Sequence, residues 1–271
     1  EAGREGQHSA WGVFALQGNK TRGSKFRHIH FKGGSGDDID AIPYTGMFSI
    51  HDTAEIELSH VRLDANYIED DSLHIVYAKN VSVNDLQVFD ANGDGVDVDI
   101  SDVRFSGGVI RGAKNDAIDL MSSGAVIQDM LIERSGDKGV SVGERSRALI
   151  AESHLRSNKI GIESKDDSRT IVMHSDLADN TVQLNAYRKN WRYGKGGRIE
   201  GHRLSIIGRD NTLTAEKNSS ITLTESRISP PQNTSSTGVI TPPQAAATEL
   251  QMRALFKSFP FEAFQNLSGI Q

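Results

Sequence analysis

The sequence predicts an all-β chain wound as a single-stranded right-handed parallel β-helix, a solenoid with rungs of about 22 residues. The first observation behind this is a repeat: Gly95-Val-Asp-Val98, Ala117-Ile-Asp-Leu120, Gly139-Val-Ser-Val142, Gly161-Ile-Glu-Ser164 and Gln183-Leu-Asn-Ala186 follow at one fixed interval. It sets Val96, Ile118, Val140, Ile162 and Leu184 in a single apolar column. The second is another apolar series at the same interval, Phe105, Ile127, Leu149 and Ile171. The third is local chemistry. Each unit consists of short alternating runs broken by Gly, Asn, Asp and Ser, which is strand patterning and not helix patterning. A unit this small buries its apolar face only by stacking on its neighbours.

The elements follow in order. Trp11 to Leu16 and Phe26 to Phe31 read as strands, and Gly33-Gly-Ser-Gly-Asp-Asp38 reads as a loop. Because Trp11-Gly-Val-Phe-Ala-Leu16 is already strand-like, the expectation is that residues 1–228 form a β-helix whose N-terminus is truncated. Met47 to Asp70 and Asp71 to Gly93 are slightly longer rungs, and the close repeats come next. Between Leu184 and Leu213 the interval lengthens, which places an insertion at Asn190 to Gly197. Residues 229–248 hold Pro230, Pro231, Pro242 and Pro243 among Ser, Thr and Ala, and are expected to be a linker that cannot continue the ladder. Residues 249–271, with Leu250, Leu255, Phe259, Phe261 and Phe264, suggest a short amphipathic segment. It would cap the open end of the solenoid or dock a partner protein.

Composition agrees and narrows the function. Aromatic residues make up 6% of the chain, so the core is a narrow stack of Val, Ile and Leu. Having no cysteine excludes disulfides and thiolate metal sites. A net charge of −6 argues against nucleic acid as a partner, and no apolar run reaches membrane-spanning length.

Counting by the repeat aligns Asp94, Asp116, Lys138 and Ile160, and beside them Asp97, Asp119, Ser141 and Glu163. Rungs about 4.8 Å apart bring such carboxylates close enough to raise one another's pKa or to share a cation. Asp94, Asp116 and Asp119 with Lys138 are thus candidate catalytic residues, and Asp97 with Asp119 candidate ligands for calcium. The competing reading is structural, because Asp and Asn at strand ends cap corners by accepting a backbone N–H. Asn92, Asn158 and Asn180 fall in one column and look like such a ladder. The nine histidines, among them His28, His30, His51 and His74, show no ligand spacing on one element.

The rungs resemble the pectin-lyase-like superfamily, parallel β-helices that mostly act on or bind polysaccharides. Asn92-Gly-Asp94, Asn115-Asp116, Gly136-Asp-Lys-Gly139 and Ile162-Glu-Ser-Lys165 stand where polygalacturonases carry their motifs. Lys138 stands near the place of the polygalacturonase histidine, and no arginine precedes Ile162. Trp11-Gly-Val-Phe14, Met47-Phe-Ser-Ile-His-Asp52, Asn115-Asp-Ala-Ile-Asp-Leu-Met121, Gly136-Asp-Lys-Gly-Val-Ser-Val-Gly-Glu144 and Asn190-Trp-Arg-Tyr-Gly194 more closely resemble β-helix segments of bacterial surface proteins that accompany a CotH-like kinase domain. That resemblance implies an extracytoplasmic accessory region, and no kinase motif is present in the chain.

The insertion has a character of its own. Tyr187, Arg188, Lys189, Trp191, Arg192 and Tyr193 combine aromatics and bases with no acid, which suits sugar rings and uronate carboxylates. The alternative is a loop whose Trp191 folds back on the β-helix wall. The sequence therefore favours an extracellular, periplasmic or cell-surface module that binds or organises polysaccharide or a cell-surface glycan. A polysaccharide lyase or glycoside hydrolase is the second reading, and a purely structural spacer the third.

Overall fold

The repeat does wind into stacked coils. The computed structural model describes residues 10–68, 70–208, 212–230 and 234–244. Two parallel sheets, of ten and fourteen strands, run the length of these coils. The first sheet includes Phe14–Gln17, Gly46–His51, Asp71–Val76, Val96–Asp99, Ile118–Met121, Lys138–Gly143, Ile160–Lys165 and Val182–Tyr187. Val96, Ile118, Val140, Ile162 and Leu184 pair in direct register and are fully buried, as the column predicts. The residues between them, Asp97, Asp119, Ser141 and Glu163, take the opposite face because side chains alternate along a strand.

The second apolar series needs correction. Phe105 pairs with Ile127, but Ile127 then pairs with Ile150, and Leu149 lies opposite Val126. The cause is a corner with an extra residue. Glu144 and Arg145 both adopt left-handed backbone there, where the preceding coil has Ser122 alone. One fewer residue before Ile160 restores the interval in the first sheet, since Ser135 N–H donates to Asn158 Oδ1 while Lys138 still pairs with Ile160.

Corners are closed by buried side-chain ladders. Ala78 N–H donates to Ser101 Oγ, Ser101 N–H to Ser123 Oγ, and Ser123 N–H to Ser146 Oγ, at 2.8 to 3.0 Å. Asn158 N–H donates to Asn180 Oδ1 at 2.9 Å, so that part of the asparagine column is structural. Each ladder supplies an acceptor for an N–H that a turn would leave unpaired in the interior.

Two further corrections concern connections. Asp37–Ile39 and Ile42–Tyr44 form an antiparallel hairpin in and beyond the segment read as a loop. Asp40 and Ala41 at its tip both have positive φ, the conformation of a tight two-residue hairpin turn. Within the stretch expected to be a linker, Thr234–Ser236 and Val239–Gln244 pair in parallel with Leu213–Ala215 and Ser220–Thr224. The ladder thus runs past residue 229. Pro242 and Pro243 fall where the register shifts opposite Thr222 and Thr224, an irregularity of the kind that accommodates residues without an N–H. The segment 249–271 and residues 1–9 lie outside the described residues.

Candidate functional site

The outward face of the first sheet carries an unusual density of charge. Its register stacks His74, Asp97, Asp119, Ser141, Glu163 and Asn185 in one column, and His51, Val76, Asp99, Met121, Gly143, Lys165 and Tyr187 in the other. Asp71, Asp94, Asp116 and Lys138 lie at the strand entrances of successive coils. This face has two chemically distinct ends.

At one end sit carboxylates and histidines. Asp71, His74 and Asp97 each bring one donor atom to within 4.8 Å of the other two. His74 Nε2 lies 4.0 Å from Asp97 Oδ2 and 3.7 Å from Asp99 Oδ2, and is buried with no hydrogen-bond partner. Burial pushes the Asp97 carboxyl up to about 9, helped by the charges of Asp71, Asp99, Asp119 and Asp94. Burial raises Asp71 to about 7 and lowers His51 to about 4, the latter aided by His74.

Asp94 and Asp116 have corner duties. Asp94 Oδ1 accepts the Asp116 N–H at 2.8 Å, and Asp116 Oδ1 accepts the Lys138 N–H at 2.9 Å. Burial raises these two carboxyls to about 6 and about 7. For Lys138, burial alone would lower the ammonium, but its hydrogen bond to Asp137 and the charges of Asp116 and Glu163 hold it above its ordinary value. Its Nζ is 2.6 Å from Asp137 and 3.6 Å from Asp116. Asp119 faces Lys165 Nζ at 3.9 Å, and that ammonium also donates to Ser141 Oγ.

The other end is basic and aromatic. Tyr187 pairs with Lys165 in register, whereas Arg198 pairs with Arg169, so the added residues fall between Tyr187 and Arg198, as the lengthened interval predicts. Asn190 N–H donates to Asp166 Oδ1 at 2.8 Å, and Arg192 N–H to Asn190 Oδ1. Gly197 closes the loop against the Ser164 carbonyl, where a Cβ would stand 1.8 Å from that oxygen. Arg145 lies over the Tyr193 ring at 5.5 Å and Arg192 near Trp191 at 6.0 Å. Trp191 is 82% exposed, so it does not fold back on the wall. Arg188 and Lys189 are exposed, while burial and the Glu163 charge raise the half-buried Tyr187 phenol above its ordinary range.

A protein-family model described as "Periplasmic copper-binding protein (NosD)" matches residues 19–195, more than half of the chain. The chain belongs to the NosD family. No curated protein matches this sequence. Among solved structures, the NosD-family coils are similar to an alginate lyase from Paenibacillus sp. str. FPU-7, with TM-score 0.62, 11% identity, and coverage of 82% of this chain and 80% of that one. Tailspike protein 2 from the Escherichia coli O157:H7 bacteriophage CAB120 is similar at TM-score 0.46 and 13% identity, covering 78% of this chain and 37% of that one. At such identity the alginate lyase supports the fold alone, a parallel β-helix.

Counting by the repeat gathered Asp94, Asp97, Asp116, Asp119 and Lys138 onto one stretch of this face but missed its histidine end. His74 stands directly opposite Asp97 in the ladder, yet in the sequence it lies 23 positions earlier and escapes a count by 22. The signal was present once the longer rungs were allowed their own interval. Lys165 was visible only as a motif residue, and its burial against Ser141 required the stacked coils.

Proposed function

We propose that this chain is an extracytoplasmic, non-catalytic β-helix module that binds an anionic polysaccharide through the loop between Tyr187 and Arg198. The observation that carries the reading is Trp191, a large aromatic side chain 82% exposed on an anchored loop. Arg188, Lys189 and Arg192 stand around it with no acid among them. An indole face stacks on sugar rings, and guanidinium groups pair with uronate carboxylates in a forked geometry. The family's periplasmic description supports an extracytoplasmic location, and the alginate lyase's substrate gives a precedent for uronate chains on this fold. No helix among the described residues is long and apolar enough to cross a membrane.

Hydrolysis or lysis through Asp94, Asp116, Asp119 and Lys138 has less support. Asp94 and Asp116 each hold a neighbouring coil's N–H, and Lys138 is paired with Asp137. The family's description names copper, and the donors that would fit such an ion lie at the other end of this face. The imidazole nitrogen and carboxylate oxygens of His74, Asp71 and Asp97 suit the divalent ion, and no sulfur is among them to suit the monovalent one.

Affinity for alginate and polygalacturonate, with a neutral glucan as control, tests the proposal by calorimetry. Trp191→Ala with Tyr193→Ala is expected to weaken binding about tenfold or more, a loss of about 1.4 kcal/mol, with an unchanged melting temperature. Equal binding by the variant, or equal affinity for the neutral glucan, overturns it. Release of unsaturated or reducing ends that stops in Asp116→Asn replaces it with the enzyme reading. No binding to any glycan leaves the spacer.

A further inference from the structure

The acidic end of the outward face holds a donor set with an oriented imidazole. Thr45 Oγ1 donates its single proton to Asp71 Oδ2 at 2.6 Å. The same hydroxyl oxygen lies 2.9 Å from His74 Nδ1, and His51 Nε2 lies 3.3 Å from that nitrogen. With Asp71 ionised, Nδ1 donates to the hydroxyl and Nε2 keeps its lone pair. Nε2 is the atom that is buried without a hydrogen-bond partner and turned toward Asp97 and Asp99. His74 is 8% exposed and Asp71 2%, whereas the Asp97 side chain keeps 24% of its surface open. The Asp97 side is thus the more open side of the cluster. An imidazole held by a hydroxyl relay, with its free nitrogen between two carboxylates, matches how proteins orient a metal-binding histidine.

We propose that Asp71, His74 and Asp97 hold a divalent first-row transition-metal ion that joins two consecutive coils. Asp71 and His74 come from one strand and Asp97 from its neighbour in the sheet. Bonds to such an ion are about 2.0 to 2.2 Å, so the donors close in by a small rotation of Asp97, the least buried of the three. The class of ion follows from the donors. One nitrogen beside carboxylate oxygens suits zinc(II), copper(II) or nickel(II), while calcium prefers a larger, all-oxygen shell. Asp119, the other candidate ligand by sequence, sits one coil further on with Lys165 Nζ at 3.9 Å, a charge that opposes a cation there. Asp99 Oδ2, 3.7 Å from Nε2, supplies a nearby acceptor for a metal-bound water. Thr45 acts as a positioning residue, since its hydroxyl bridges Asp71 and His74 Nδ1.

Calorimetry on the metal-free chain with zinc(II), copper(II) and calcium tests the assignment, and the electron paramagnetic resonance spectrum of copper(II) reports nitrogen coordination. The expected result is one tight site for zinc(II) and for copper(II), one coordinated nitrogen, a raised melting temperature and no competition by millimolar calcium. His74→Gln and Asp97→Asn should each weaken binding about tenfold or more, and Thr45→Val by about tenfold to a hundredfold. Asp97→Asn replaces a partly exposed carboxylate by a side chain of the same shape, so it remains decisive if His74→Gln misfolds. The pair His28 and His60, stacked at 4.6 Å, is the control, and His28→Ala should leave binding unchanged. Binding that survives both Asp97→Asn and His74→Gln, that is lost in His28→Ala, or that favours calcium overturns the proposal, as does no binding at all.

Discussion

Ile118 sits in the middle of the inner stack, fully buried between Val96 and Val140. Ile118→Ala is expected to destabilise the chain by about 2 to 5 kcal/mol, read by chemical denaturation, because packed neighbours close the cavity only in part. Ile100 presents the opposite case. It is an exposed β-branched residue with φ 48°, a backbone region where its Cβ crowds the following carbonyl. Ile100→Asn should raise stability by about 1 kcal/mol, since asparagine enters that region at lower cost. Asp94 and Asp116 govern the response to pH. Their folded pKa values, about 6 and about 7, lie above the ordinary aspartate value of 3.8. From about pH 4 upward the folded chain retains protons that the unfolded chain has released, so the contribution of these two groups falls as pH rises through about pH 7, and the Asp97 carboxyl, held up to about 9, extends the fall beyond it. The drop should be on the order of a few kcal/mol and should become shallower in Asp116→Asn, as melts across that range will report.

The serine ladder makes a similarly specific demand. Ser123 Oγ accepts the Ser101 N–H and donates to backbone carbonyls, with both residues buried. Ser123→Ala strands that N–H in the interior and should cost about 1 to 3 kcal/mol in a denaturation midpoint. None of this was legible from composition, because a corner serine looks like any turn serine until the coils are stacked. Strand positions were legible wherever the interval stayed constant, as from Val96 to Leu184. They were lost where a corner gained a residue, which is why Leu149 was matched to Ile127 when Ile150 is its true partner. The hairpin around Asp40 and Ala41 escaped for another reason: neither residue is a glycine or asparagine, the usual signal for that turn.

Taken end to end, the described coils form a one-dimensional stack in which each pairs with the coils on either side. Damage therefore stays local. In Ile118→Ala, amide exchange should accelerate across the coils holding Val96 and Val140 and change little near Phe48 or Leu213. Uniform acceleration along the chain would mean that the coils unfold as one unit. The same geometry explains which part of the outward face could be read in advance. A repeat announces columns, so the acidic stripe from Asp94 to Asp119 was visible. The histidine end depends on longer coils near the hairpin, and the exposure of Trp191 is a property of how an insertion leaves a wall.

The manner in which that insertion leaves the wall has a consequence for how such a molecule changes partners. Tyr187 and Arg198 are each held in register by the coil beneath, and Gly197 N–H donates to the Tyr187 carbonyl at 2.9 Å. The segment between them is thus an exchangeable cassette clipped at its base. A change at its exposed tip, as at Trp191, leaves those pairs in place, so the presented surface can be altered while the scaffold keeps its pitch.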